Sequence, residues 1–150
     1  MARFSKVSAN FWRSRRVAAL SNDDRLCLLY CITAEHQTSV GAARIPTKYA
    51  AADLAWTEEA FEASVTSLVD AGLLLRDPET LEIFVTGWFR HNAPQNPNHA
   101  SGMVKAISEI SSDAIREAVE AEFETVNRVP APTPKRSKRP SNNDSDHIDF

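Results

Sequence analysis

The stretch from Ala50 to Asn98 restricts the possible folds of this chain more than any other. A short helical segment comes first, and after Thr57 a longer segment repeats apolar residues at the spacing i, i+4, i+7, i+8, namely Phe61, Val65, Leu68 and Val69. This spacing predicts a helix with one inward-facing stripe. Gly72 can adopt the left-handed conformation that ends a helix. Two β-favouring runs, 73–76 and 81–88, then flank the turn at 77–80, which predicts a β-hairpin.

Helix, turn, helix and hairpin in that order are the sequence outline of a winged helix. The flanking segments predict a helix at 7–19, a strand at 38–45, a helix at 48–55, and helices at about 99–110 and 112–124. Ser21 is expected to cap a further helix. Much of this helix is expected to be buried, because it carries Leu26, Leu29, Tyr30 and Ile32. Thr47 is expected to cap the helix at 48–55. We predict a common core that contains Phe61, Leu68, Leu74, Phe84 and Trp88.

These elements predict a mainly α fold with a small β-hairpin (α+β), in three parts. Residues 1–95 form a winged helix-turn-helix with a basic N-terminal arm, and 96–124 form a C-terminal helical extension. Residues 125–150 are expected to be a disordered tail with a basic linker and an acidic tip, because 130–147 offer no large apolar residue to bury. The three tryptophans, Trp12, Trp56 and Trp88, are expected to anchor the core rather than to stack on bases.

The net charge of −3 conceals a strong segregation of charge along the chain. Residues 1–25 carry six basic and two acidic side chains, residues 26–124 carry six and fifteen, and residues 125–150 carry five and three. The ends are therefore positive and the middle is negative. A nucleic-acid partner is expected to meet the two ends first.

The helix that would enter a DNA groove, 57–71, has four acidic residues and no basic one. A duplex would repel this face, and the face has no arginine, asparagine or glutamine to read base edges. We therefore predict DNA contacts elsewhere, at Arg13, Arg15, Arg16, Thr47, Lys48, Arg76, Arg90, Lys135, Arg136, Lys138 and Arg139, with His91 beside Arg90. A plain solvated helix face is the alternative interpretation of the arginines at 13–16.

No motif for catalysis is present in the sequence. We find no GxxxxGK[ST] phosphate loop, no HExxH and no glycine-rich dinucleotide turn, and the four histidines are scattered. Cys27 and Cys31 lie one helical turn apart and are expected to be buried small apolar groups rather than metal ligands. We predict a protein without enzymatic activity, cofactor or metal, and no apolar run approaches the roughly 20 residues that span a bilayer. A reducing cytoplasm is the expected location.

Several phrases resemble the N-terminal winged-helix region of bacteriophage and prophage replisome-organiser, or replication-initiation, proteins. They are FSKVSANFW (4–12), ALSNDDRLCLLY (19–30), PTKYAAADLAW (46–56), DAGLL (70–74) and WFRHNAPQNPN (88–98). This resemblance implies a phage-borne replication or DNA-binding role in the bacterial cytoplasm. Those proteins commonly continue into a further domain, whereas here a short tail follows.

The last seven residues form an acidic tip that is similar to the C-terminal tip of bacterial single-stranded-DNA-binding proteins. In that family the tip docks genome-maintenance enzymes, and by resemblance the contact residues here would be Asp144, Asp146, Ile148, Asp149 and Phe150. A ring in a pocket, a terminal carboxylate on a basic side chain and steering aspartates would supply the attraction. Asp149 stands where that family usually has proline.

Two functions of different classes follow from the sequence. The first is a DNA-binding replication accessory that contacts duplex or single-stranded DNA through its basic ends and hairpin and docks a replication or repair protein through its tip. The second is a protein-interaction module that has lost DNA binding and uses its acidic helices to bind a host protein. Mimicry of nucleic acid is one way in which such helices bind. The acidic helix at 57–71 favours the second function, and the basic ends favour the first.

Overall fold

A computed structural model describes residues 4–127 of the chain. The helices are α1 (Arg15–Ala18), α2 (Asn22–Thr33), α3 (Thr47–Leu54), α4 (Glu58–Asp70), α5 (Pro97–Ser108) and α6 (Asp113–Val126). The strands are β1 (Ala42–Arg44), β2 (Leu74–Asp77) and β3 (Glu82–Val85), and two 3₁₀ turns lie at Phe11–Arg13 and Trp88–Arg90. The fold is mainly helical with a small antiparallel sheet, and the predicted order of elements is confirmed.

The sheet places the hairpin β2–β3 beside β1 in the order β1-β3-β2. Phe84 of β3 stands opposite Ala42 on one side and Leu75 on the other. Two strands are shorter than predicted. β1 begins only at Ala42 because residues before it form a turn, in which Gly41 donates to the Thr38 carbonyl at 3.3 Å. β3 ends at Val85 because Gly87 takes a left-handed φ of 75° and starts the second 3₁₀ turn.

Helix α4 lies at the centre of the core, as its apolar stripe predicts. Phe61, Val65 and Leu68 are buried, and Val69 is partly buried. The expected core set, Phe61, Leu68, Leu74, Phe84 and Trp88, is buried in one cluster. The helices predicted as an extension add Met103, Ile107, Ile115, Val119 and Phe123 to the same cluster.

Gly72 ends α4 as expected. It has a φ of +71°, its N–H donates to the Val69 carbonyl at 2.9 Å, and the N–H of Leu73 donates to the Leu68 carbonyl at 2.9 Å. These two bonds form a Schellman motif, which satisfies carbonyls that the helix leaves without a partner. The chain leaves the motif directly into β2.

Two predictions about α2 are confirmed and one needs correction. Ser21 does cap α2, accepting from the Asp24 N–H at 3.1 Å, and both cysteines are buried thiols. Leu26, however, is 46% exposed, because α2 turns Cys27, Leu28 and Cys31 toward the core. Small thiols on this face suit close packing against α4. The pKa of the Cys31 thiol is raised, mainly by a hydrogen bond with Cys27 and also by burial.

The N-terminal segment also differs from its prediction. The expected helix at 7–19 is divided into a 3₁₀ turn and α1, because Ser14 has an extended backbone with ψ of 127°. Trp12 is 60% exposed instead of buried, whereas Trp88 is buried and Trp56 packs partly buried against the core. Thr47 is not a cap, since Pro46 occupies that position and the Thr47 hydroxyl donates to Glu62 at 2.6 Å.

Acid should weaken the hairpin turn through Asp77. A hydrogen bond from Ser112, together with the backbone N–H groups of Glu79 and Thr80, holds the pKa of the Asp77 carboxyl below its ordinary value. A lowered native pKa stabilises the fold above the unfolded pKa and loses this contribution as the pH falls through the native value. Stability should therefore decrease below about pH 4.

Asp77→Asn should be less stable than the parent at neutral pH, and the difference should shrink on acidification. Urea unfolding at several pH values measures this difference. Glu79→Gln removes an exposed carboxylate from the same turn and serves as the matched control. A constant difference between Asp77→Asn and the parent at all pH values would contradict the assignment.

Candidate functional site

A cleft of about 440 Å³ opens between the N-terminal segment and the segment that follows β3. Its basic members are Lys6, Arg13, Arg16, Arg90 and His91, and we call this site the basic cleft. None of the described residues that line it is acidic. An anion that enters the cleft therefore meets side chains of one charge sign, with walls that exclude part of the water.

The floor of the basic cleft is apolar and belongs to the core. It includes Val17, Leu28, Ile32, Leu73, Val85 and Trp88. Trp88 is fixed by its indole N–H, which donates to the Ser39 carbonyl at 2.9 Å. Phe89 packs edge-on against Phe123 with ring centroids 5.5 Å apart. These two anchored rings direct the next residue, Arg90, to the exposed rim.

Gly87 shapes the wall on the β3 side of the cleft. Its left-handed conformation, φ of +75°, turns the chain from the strand into the 3₁₀ turn. The Gly87 N–H donates to both carboxylate oxygens of Glu122, at 3.0 and 3.1 Å. Helix α6 is therefore bound to the wall of the cleft through a charge-assisted contact.

Arg16 has a structural task within the cleft. One of its guanidinium nitrogens donates to the carbonyls of Ala71 and Gly72, at 3.1 and 2.6 Å. A cation at the end of a helix also suits the negative end of the helix dipole. Arg16 therefore attaches the N-terminal segment to the junction between α4 and β2.

Arg76 and Thr47, two of the predicted DNA contacts, are occupied inside the protein. Arg76 donates to Glu62 through its two terminal guanidinium nitrogens, at 3.0 and 2.9 Å, and its side chain is 9% exposed. Thr47 donates to the same carboxylate. This network joins α3, α4 and β2. Neither the Arg76 nor the Thr47 side chain is therefore available to bind a phosphate. Arg76 is 14 positions from Glu62 and 29 positions from Thr47 along the chain. The sequence did not reveal the pairing because these separations are long.

The structure brings three predicted contact residues together, Arg13, Arg16 and Arg90, on the basic cleft. Arg15 and Lys48 are exposed but do not line it. Sequence reasoning missed Lys6, although the excess of basic residues in the N-terminal 25 was a signal for it. The remaining predicted contacts lie outside the described residues: Lys135, Arg136, Lys138, Arg139, Asp144, Asp146, Ile148, Asp149 and Phe150.

The outward face of α4 is acidic and exposed, in agreement with its sequence. Glu58, Glu59 and Asp70 are exposed, and Glu62 is partly covered where it binds Arg76. No basic side chain belongs to this helix. The negative charge of α4 would repel phosphates, whereas the positive side chains of the basic cleft would attract them.

Within residues 4–127 we find no group of three or more side chains placed to hold a metal ion. The same residues contain no helix with the length and apolarity needed to cross a membrane. Comparisons with family models, curated proteins and solved structures find no match to this chain.

Proposed function

We propose that this chain is a non-enzymatic nucleic-acid-binding protein of winged-helix architecture, and that the basic cleft holds the phosphate backbone. The observation that carries the proposal is the convergence of Lys6, Arg13 and Arg90 on one cleft whose described lining has no acidic residue. These side chains come from segments about eighty residues apart along the chain. Phosphate neutralisation by such groups supplies most sequence-independent affinity for nucleic acid.

The winged-helix part of the proposal is supported by the arrangement of α3, α4 and the hairpin. Helix α4 packs on α2, α3 and β2, and the hairpin follows it through the Schellman turn at Gly72. The strand β1 pairs with β3 and completes a three-stranded sheet. Helix, helix and hairpin in this order, with a strand before them, are what the sequence outline predicted.

Nucleic acid would dock on this domain away from α4. The exposed carboxylates of Glu58, Glu59 and Asp70 repel phosphates, whereas Arg13 and Arg90 attract them. We infer that the nucleic acid lies along the N-terminal segment and the 3₁₀ turn that follows β3. By its resemblance to phage replication proteins, the proposed role is that of a replication accessory in the bacterial cytoplasm.

The experiment compares a double variant of the basic cleft with the full chain over a range of salt concentrations. Arg13→Ala/Arg90→Ala should weaken oligonucleotide binding and flatten its salt dependence, because two fewer phosphate contacts release counterions. Between about 50 and 200 mM salt, the affinity of the parent should fall roughly ten times more than that of the double variant. Fluorescence anisotropy with labelled duplex and single strands provides the measurement.

Arg44→Ala/Lys105→Ala is the matched control, since it removes the same charge at exposed positions that do not line the cleft. This control should follow the salt dependence of the parent closely. If both double variants reduce affinity and slope equally, only net charge matters and the cleft is not the binding site. An absence of binding to any oligonucleotide would overturn the proposed function itself.

A protein-binding role is the second candidate, and a specific observation favours it. Helix α6 exposes Glu117, Glu120 and Glu124, and α4 exposes Glu58 and Glu59. Two acidic helices could contact a basic protein surface and resemble nucleic acid in charge. The salt series separates the two candidates, because this one predicts that the full chain binds no oligonucleotide.

We further propose that the segment 144–150 docks a replication or repair protein. Its support is the sequence alone: three aspartates and a terminal phenylalanine in a tip similar to that of bacterial single-stranded-DNA-binding proteins. Partner docking through a tip and nucleic-acid binding through a cleft are compatible in one accessory protein.

A further inference from the structure

Trp12 is a large apolar side chain that the fold holds at the surface. It is 60% exposed and stands edge-on to Phe11, with ring centroids 4.9 Å apart and an angle of 87° between the planes. Phe11 itself lines the basic cleft. The exposed indole is therefore positioned next to the cleft by an aromatic neighbour that belongs to it.

The backbone around Trp12 is ordered by hydrogen bonds. The N–H of Phe11 donates to the Ser8 carbonyl and that of Arg13 to the Asn10 carbonyl, both at 3.0 Å. The following helix, α1, is attached to the junction between α4 and β2 through Arg16. A ring on such a segment loses little freedom when a flat partner binds its face.

Exposed apolar and basic side chains are interspersed along the N-terminal segment. Phe4, Val7 and Trp12 are 87%, 41% and 60% exposed, and Lys6, Arg13 and Arg15 lie between or beside them. Single-stranded nucleic acids are bound by this combination, in which cations follow the backbone and aromatic rings stack on bases. A duplex keeps its bases stacked inside and offers no such face to a ring.

The size of the basic cleft points to the same ligand. Its volume of about 440 Å³ is typical of pockets that enclose one small molecule. A sugar and phosphate of the backbone, with an unpaired base beside them, can enter such a space, whereas a base pair of a double helix cannot reach it. The acidic face of α4 would repel a duplex that approached the helix instead of the cleft.

We infer that the ligand of the basic cleft is single-stranded nucleic acid, with an unpaired base stacked on Trp12. This inference rests on the proposed function and specifies its substrate class. Arg13 and Arg90 hold phosphates, and Trp12 binds the adjacent base face without reading its identity. Binding should therefore tolerate changes of sequence but not the conversion of the strand into a duplex.

The experiment measures the affinity of the full chain and its variants for oligothymidylate and for a duplex of equal length. Trp12→Ala should weaken oligothymidylate binding roughly 5- to 150-fold, the contribution of one stacked base. Trp12→Phe should recover part of this loss because a smaller ring still stacks. Duplex binding should change less than about threefold, since no base is available to the ring.

Tyr49→Ala is the matched control, because Tyr49 is 61% exposed and does not line the basic cleft. It should bind oligothymidylate like the parent. A second readout is intrinsic fluorescence, which oligothymidylate should quench in the parent and in Tyr49→Ala, and much less in Trp12→Phe, which keeps only the buried Trp88 and the partly buried Trp56. Circular dichroism verifies that each variant is folded.

The outcomes separate the inference from the function on which it rests. If Trp12→Ala binds oligothymidylate like the parent while Arg13→Ala/Arg90→Ala does not, the cleft binds phosphate but Trp12 stacks on no base, and the inference is wrong. Equal losses for single strand and duplex would also overturn it. If the parent binds neither oligonucleotide, both proposals are wrong.

Discussion

Replacing Leu68 with alanine is expected to lower the free energy of unfolding by about 2–5 kcal/mol. Leu68 is fully buried in the α4 stripe, at the contact of this helix with the rest of the core. Removal of three side-chain carbons leaves a cavity that the core cannot fully close, because large members of the same cluster, such as Phe61 and Phe84, are themselves fully buried. Urea denaturation followed by circular dichroism measures the loss.

Leu26→Ala is the control for this experiment. Leu26 is a leucine on a helix as well, but it is 46% exposed. Its truncation should change stability by less than about 1 kcal/mol, since little surface leaves water there on folding. Equal unfolding midpoints for Leu68→Ala and the parent would show that the inward stripe of α4 is misassigned.

Gly41→Ala is expected to destabilise the fold by about 2–4 kcal/mol, from overpacking and a strained backbone. An added Cβ would meet Cγ, Cδ2 and Cβ of Trp88 at 2.3, 2.4 and 2.7 Å, and the φ of Gly41 is +73°. Trp88 cannot move away cheaply because its indole N–H is bonded to Ser39. Thermal and urea unfolding should both show the loss.

Gly102→Ala is the matched control, with the same added methyl group. Gly102 lies inside α5, and a Cβ there meets no heavy atom within 4 Å. Alanine should stabilise this helix by up to about 1 kcal/mol, because glycine loses more backbone entropy on folding. If Gly41→Ala is as stable as Gly102→Ala, the close approach of Trp88 to the backbone is incorrect.

The local elements of the fold could be predicted because their signals lie close together in the sequence. The α4 stripe repeats within nine residues, Ser21 precedes its helix directly, and Gly72 stands where the stripe ends. Burial on α2 could be predicted only in part. Cys27 and Cys31 are buried as expected, but the leucines of this helix occupy several faces, and only packing against α4 and β3 buries Leu28 and leaves Leu26 exposed.

The candidate site was predictable in composition but not in geometry. The basic character of the N-terminal segment and of Arg90 is visible in the sequence. Their meeting across one cleft depends on the sheet and on Gly87. Arg76 illustrates the reverse case, because a charge that looks available in the sequence is paired internally with Glu62.

The bonds of Arg16 have a consequence for how tightly an anion can use this residue. The carbonyls of Ala71 and Gly72 already accept from its guanidinium, so a phosphate would compete with them for the same donors. The binding free energy that a phosphate would gain from Arg16 is therefore offset by the free-energy cost of leaving two carbonyls at the end of α4 without this donor. By thermodynamic linkage, a ligand that captures Arg16 loosens the α4–β2 junction, and a protein with a weakened junction releases Arg16 to the ligand more readily.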